Sequence, residues 1–166
     1  MHYAVRRART GDVRAMRALV DANAQDGRLR VRPTVDLYED VQEFFVAIAP
    51  DGQVVGCGAL HVMWEDLAEI RTLAVSADHQ GHGIGHQLVV ELLETAKEVG
   101  VSRVFVLTFA VDFFRSHGFA EIVGQAASPE VYAELLRSYD EGVAEFLDLD
   151  RVKPNILGNT RMLLRI

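Results

Sequence analysis

The sequence predicts a mixed α/β fold. Two segments carry apolar residues at helical spacing, Val13, Met16, Leu19 and Val20 in one and Leu88, Val89, Leu92, Leu93 and Ala96 in the other. Four apolar stretches of strand length, 44–48, 54–62, 68–75 and 101–109, share the chain with them. Turn residues such as Pro50-Asp51-Gly52-Gln53 separate neighbouring segments.

Taken in order, residues 3–7 alternate well enough for a short first strand, and Thr10-Gly11-Asp12 offers polar caps for the first helix. Thr34 is expected to cap a second helix carrying Val35, Tyr38, Val41 and Phe45. Residues 44–48 and 54–62 then read as a hairpin, and Glu65-Asp66 turns the chain into a further strand ending Leu73-Ala74-Val75. A Gly-rich stretch opens the long helix that Gly100 ends, and 101–109 is apolar enough for a buried central strand. Phe113 and Phe114 begin a short helix stopped at Gly118, and Ser128-Pro129-Glu130 has the form of a helix start. Residues 161–166 can form a last strand.

Composition narrows the function. A chain of 166 residues suits one domain spanning residues 1–166. One cysteine cannot form an internal disulfide, which points to a reducing, cytoplasmic setting. With 17 Lys+Arg against 24 Asp+Glu the formal charge is −7, the opposite of a nucleic-acid-coating protein. No apolar run approaches the roughly 20 residues of a membrane span, so no membrane partner is expected.

The chemistry concentrates in Gln80-Gly81-His82-Gly83-Ile84-Gly85-His86, between a strand and a helix N-terminus. Glycines there let the backbone approach a ligand and aim N–H groups outward, and the helix dipole favours phosphate. The stretch is no dinucleotide fingerprint, because His86 stands where the third glycine belongs, and it lacks the lysine of a P-loop. His82 and His86 sit four apart, but no carboxylate-completed zinc pattern accompanies them and no metal is expected.

The Gln-x-x-Gly-x-Gly spacing after Leu73-Ala74-Val75, followed one strand later by Phe114-Arg115-Ser116-His117-Gly118-Phe119, resembles the two hallmarks of the GCN5-related N-acetyltransferase superfamily. The order of elements from Tyr3 to Phe119 is similar as well. The resemblance implies the acyl-CoA N-acyltransferase fold, with a mixed, mostly antiparallel central sheet flanked by helices, and acetyl-CoA as co-substrate. It implies that the main chain of Leu73, Ala74 and Val75 holds the pantetheine arm. The pyrophosphate falls to Gln80, Gly81, His82, Gly83, Ile84, Gly85 and His86, and Thr108 lies near the thioester. Phe114 stands where the family often has a tyrosine that protonates the departing thiolate. A phenyl ring can pack on the cofactor arm but cannot donate a proton, so the thiolate must leave with help from water or another group.

Acetylating an amine requires removal of a proton, because an ammonium of pKa about 8 or higher is mostly protonated at neutral pH. Glu69 is the candidate base, matching the glutamate of the histone-acetylating branch, and strand alternation puts Glu69, Arg71, Leu73 and Val75 on one face. His61 on the neighbouring strand is a weaker proton relay, and Cys57 between Gly56 and Gly58 reads as a small core residue.

Within the superfamily, residues 42–46, 54–60 and 104–119 resemble the N-acetylglutamate synthases, and the tail at 138–149 and 152–159 is similar to their short actinobacterial type. That resemblance implies glutamate, or its analogue glutamine, as acceptor in the first step of arginine biosynthesis. Two carboxylates call for arginine forks. Arg32 and Arg161 lie at places where that family has basic acceptor contacts, and Arg71 joins them on geometric grounds; Lys153, Asn155 and Asn159 are weaker candidates. Many such synthases carry a preceding kinase-like domain, for which 166 residues leave no room. Superfamily members often dimerise through their C-terminal elements, so the resemblance allows a homodimer. The rival readings are an acetyltransferase for another small amine or a protein N-terminus, and a non-catalytic acyl-CoA-binding regulatory subunit.

Overall fold

The computed structural model describes residues 3–24, 32–156 and 158–166, with only the backbone of Asn155. Of the tail motif, Leu157 and the Asn155 side chain therefore lie outside the described residues. The strands are β1 (Ala4–Arg7), β2 (Phe44–Ile48), β3 (Val54–Trp64), β4 (Leu67–Val75), β5 (Arg103–Thr108), β6 (Ala120–Glu121) and β7 (Thr160–Arg165). The helices are α1 (Val13–Ala24), α2 (Thr34–Glu39), α3 (Ile84–Val99), α4 (Val111–Arg115), α5 (Pro129–Leu135) and α6 (Glu141–Phe146). No helix among the described residues is long and apolar enough to cross a membrane.

The chain forms two compact units that share β3 and β4. The first comprises the residues up to His61 together with Ile70–Glu98. Its strands run β1-β2-β3-β4, with β1 and β2 antiparallel from Ala4↔Ile48 to Arg7↔Phe45, and β2 and β3 antiparallel from Phe44↔Ala59. Alternation along β3 sorts its two faces. Cys57 and Ala59 join Val13, Met16, Leu19, Val20 and Leu37 beneath α1 and α2. On the other face α3 comes close enough that a Cβ on Gly56 would meet Ile84 at 3.0 Å and one on Gly58 would meet Leu92 at 3.2 Å. The glycines flanking Cys57 thus let a helix settle on the sheet.

The second helix departs from expectation. It is shorter, and its first turn follows Pro33 with no side-chain cap from Thr34. Its buried residue is Leu37, worth about 1.5–3 kcal/mol when fully removed from water. Val35 and Tyr38 are exposed, and Phe45 belongs to β2. Spacing alone could not choose between faces in six residues, and burial of Leu37 decided it.

At the entry to α1, Asp12 accepts from Arg9 N at 2.8 Å and pairs with Arg6 at 2.8 and 3.0 Å. The Arg6 hydrogen bond, aided by the Arg9 N–H, holds the Asp12 carboxyl below its ordinary range. A depressed folded pKa means stability that is present above about pH 4 and lost as pH falls toward the lower folded value. Asp12→Asn is therefore expected to flatten the acid side of the stability curve. Urea unfolding from about pH 5 downward tests this, and parallel curves for the two proteins would deny Asp12 the role.

The second unit comprises Val62–Glu69 and Val99–Ile166. Its strands run β3-β4-β5-β7-β6. The two-residue turn Glu65-Asp66 joins β3 to β4, while β4 and β5 are parallel over Leu67↔Arg103, Ala68↔Val104 and Glu69↔Phe105 only. Strand β7 lies antiparallel between β5 and β6, from Arg103↔Arg165 to Thr108↔Thr160 on one side and at Ala120↔Leu163 on the other. Leu67, Phe105 and Leu163 share a core with Leu135 of α5 and Val143 and Phe146 of α6. Helix α5 starts as its sequence requires, Ser128 Oγ accepting from Val131 N at 3.4 Å. Strand β6 and helix α6 were not expected. Two residues are too short for periodicity to reveal, and α6 is capped by Asp140, which accepts from Val143 N at 3.1 Å.

Candidate active site

The glycine-rich turn lies between the end of β4 at Val75 and the start of α3 at Ile84. Gly81 and Gly83 adopt φ of +82° and +77°, a region in which other residues are strained. Nothing lies within 4 Å of a Cβ at either position, so the need for glycine there is conformational. Ile84 is buried and anchors the helix, whereas Gln80, Gly81, His82, Gly83 and His86 are exposed and Gly85 is half-buried. The first N–H groups of α3 have no carbonyl one turn back within the helix, and with the dipole they suit an anion. Tyr3 sets its ring against His79 at 6.1 Å and His82 at 5.9 Å, packing β1 beside the turn. His79 Nδ1 is buried with no hydrogen-bond partner. Among the described residues no group of three or more His, Cys, Asp or Glu is placed to hold a metal ion.

Strand β4 carries the remaining main-chain candidates. Glu69 is 2% exposed and stands at the last pair of the parallel ladder with β5. Thr72 has φ of +56°, an outlier for a β-branched residue that costs about 1–3 kcal/mol. The alternation expected to carry Glu69, Arg71, Leu73 and Val75 on one face presumes extended backbone throughout, and Thr72 interrupts it. Beyond it Leu73 turns toward Gly58 and Leu92, while Ala74 is buried with Cys57 and Phe44. The strand is tied at its end by Ser76 N donating to Val55 O at 2.8 Å.

On the face of α1 and α2, Arg32 precedes α2 and holds three partners. Its guanidinium pairs with Asp40, donates to Thr72 Oγ1 at 3.3 Å and lies 5.8 Å above the Phe44 ring. Arg17 donates to the Arg32 carbonyl. The guanidinium has five N–H donors, so a carboxylate can still share it. Glu43, three residues after Asp40, holds His61 Nδ1 at 2.7 and 2.9 Å, which fixes the ring and keeps a proton on that nitrogen. Cys57 is fully buried, and desolvation pushes its thiol up to about 12, so it remains S–H and donates to Thr72 O at 3.5 Å. Arg71 is half-buried.

The second unit holds the other candidates. Thr108 is buried at the end of β5, and its hydroxyl accepts from Ala110 N at 2.8 Å. Phe114 is 3% exposed and packs edge-on against Phe113 and Phe119, with centroids 5.0 and 5.3 Å away. Arg161 spends its guanidinium on main chain, donating to Glu145 O at 3.1 Å, Gly124 O at 3.0 Å and Phe146 O. Burial lowers its pKa without discharging it. Lys153 pairs with Asp150 at 3.3 Å. Sequence reasoning missed Thr72, Asp40 and Glu43. No residue type signals a threonine at positive φ, and the two acids become legible only once the α2–β2 connection places them opposite Arg32 and His61.

Comparison with known proteins finds that residues 3–124 match the acetyltransferase (GNAT) family. The chain is 60% identical over 163 residues to the amino-acid acetyltransferase of Mycobacterium tuberculosis, covering 96% of this chain and 92% of that one. A crystal structure from M. tuberculosis, in complex with CoA and NLQ, superposes with a TM-score of 0.95 at 59% identity and covers 98% and 99% of the two chains. The N-acetylglutamate synthase of Neisseria gonorrhoeae, complexed with coenzyme A and N-acetyl-glutamate, shares the fold at a TM-score of 0.78 and 24% identity. This chain covers 35% of that longer protein.

Proposed function

The chain belongs to the acetyltransferase (GNAT) family and is an amino-acid N-acetyltransferase that uses acetyl-CoA, and on that premise we propose that its acceptor is the α-amine of glutamate or glutamine. The observation that carries the reading is the near-full-length likeness to an amino-acid acetyltransferase, together with the M. tuberculosis complex holding CoA. The residues fit a CoA thioester. Two left-handed glycines open the turn ahead of α3, where the pyrophosphate is taken by main-chain N–H groups from Gly81 to His86. The pantetheine arm runs along the main chain of Leu73, Ala74 and Val75.

The acceptor's carboxylate is held by Arg32, which keeps donors beyond those given to Asp40 and Thr72, with Arg71 as a second cation. Glu69 takes a proton from the ammonium, directly or through water. The neutral amine attacks the thioester carbonyl, and main-chain donors of β4 stabilise the oxyanion. Collapse forms the amide C–N bond and breaks the C–S bond, and the thiolate is protonated by water or another group, since Phe114 cannot donate. Thr108 stands near the thioester on this reading. The enzyme is taken to act in the cytoplasm and as a homodimer, with residues 1–166 supplying the acetyltransferase chemistry.

Thiol release from acetyl-CoA, measured with each of the twenty amino acids, tests the proposal. Glutamate or glutamine is expected to be the best acceptor. Release with none would overturn the acceptor reading, and release with aromatic or cationic amino acids alone would move the acceptor elsewhere.

A further inference from the structure

The least expected feature of the first unit is a threonine at a backbone angle that glycine or asparagine would take more cheaply. Such a residue persists only where its surroundings over-determine it. Thr72 is gripped at its hydroxyl and at its carbonyl, from two different segments of the chain. Its hydroxyl accepts from Arg32, itself fixed by Asp40 and stacked over Phe44, and its carbonyl accepts from the thiol of Cys57 on β3.

We propose that Thr72 is a positioning residue for acetyl transfer: its left-handed backbone, anchored by Arg32 at the hydroxyl and by Cys57 at the carbonyl, aims the β4 main chain that receives the acyl-CoA arm. The geometry follows from one peptide plane. The Thr72 carbonyl and the Leu73 N–H belong to the same planar trans unit and point opposite ways. Anchoring the oxygen on Cys57 therefore turns the Leu73 N–H away from the Cys57 sulfur. The thiol is a dependable donor, since burial keeps it protonated at any working pH. Gly56 and Gly58 support the same anchor, because they let α3 close on the far face of β3 while Cys57 stays seated on the near one. Arg32 consequently has two tasks, one toward the acceptor carboxylate and one toward the strand that holds the thioester.

The inference rests on the acetyl-CoA reading above, and the test separates the two. Acetyl-CoA affinity is measured by calorimetry for the unsubstituted chain and for Thr72→Ser, Thr72→Gly and Thr72→Val, with steady-state rates alongside. Serine keeps the hydroxyl, glycine keeps the backbone angle without it, and valine keeps only the shape. Thr72→Ser is expected to stay within about twofold of the unsubstituted chain, and the other two to weaken acetyl-CoA binding by about tenfold or more. In those two, kcat is expected to fall while the acceptor KM stays within about threefold. Thr72→Gly binding as well as the unsubstituted chain would overturn the proposal, since the angle alone would then suffice, and so would unchanged binding by Thr72→Val or serine failing to rescue. Loss of thiol release with glutamate and glutamine in the unsubstituted chain, with acetyl-CoA binding intact, would sink the acceptor reading and leave the binding arms to decide Thr72. Absence of acetyl-CoA binding by the unsubstituted chain would overturn both.

Discussion

Glu69→Gln is expected to lower kcat/KM at neutral pH by about two orders of magnitude, the usual weight of a positioned base. Glutamine has nearly the same shape, so the buried site at the end of the β4–β5 ladder keeps its volume while the negative charge and the ability to take a proton are both lost. The loss should shrink as pH rises toward the acceptor's own pKa, about 8 or higher, because the amine then arrives already neutral. Rates measured from about pH 6.5 to about pH 9.5 decide the matter. A deficit that stays constant across that range would mean that Glu69 supports the strand and leaves the proton to another group.

Arg161→Ala is expected to destabilise the protein by about 3 kcal/mol, a fall in Tm of about 6–12 °C for a chain of this size. The guanidinium serves three carbonyls, two of them at the end of α6, where positive charge is favourable. Lysine should recover only a minor part of this, because a single ammonium cannot span three acceptors set around a planar fork. Thermal unfolding of both variants checks the prediction. An unchanged Tm with a raised acceptor KM would instead make Arg161 an acceptor ligand, the role suggested by its place in the sequence.

These two residues mark the boundary of what could be read from the chain alone. The glycine-rich turn was legible because glycines at 81 and 83, the end of a strand before and the start of an amphipathic helix after act within about a dozen residues, and local chemistry determines local backbone. The strands expected at 44–48, 68–75 and 101–109 were legible for the same reason, although β4 starts one residue earlier, β5 is confined to Arg103–Thr108 and β3 continues two residues beyond its expected end to Trp64. Arg161 could be recognised as a cation near the last strand. Its partners at 124, 145 and 146 come from segments whose approach depends on the whole second unit. Thr72 was hidden more deeply, since threonine favours extended strand and only contacts from Arg32 and Cys57 hold it otherwise.

The placement of β7 between β5 and β6 has a consequence for how the molecule is made. A ribosome releases β5 and β6 long before β7, and neither can complete its ladder while β7 is still in the exit tunnel. The first unit, whose residues all lie at or before Glu98, meets no such delay. Synthesis therefore presents a nascent chain whose amino-terminal half can consolidate early and whose carboxy-terminal half waits with the edge of β5 unpaired, the interval in which a chaperone would find most to hold.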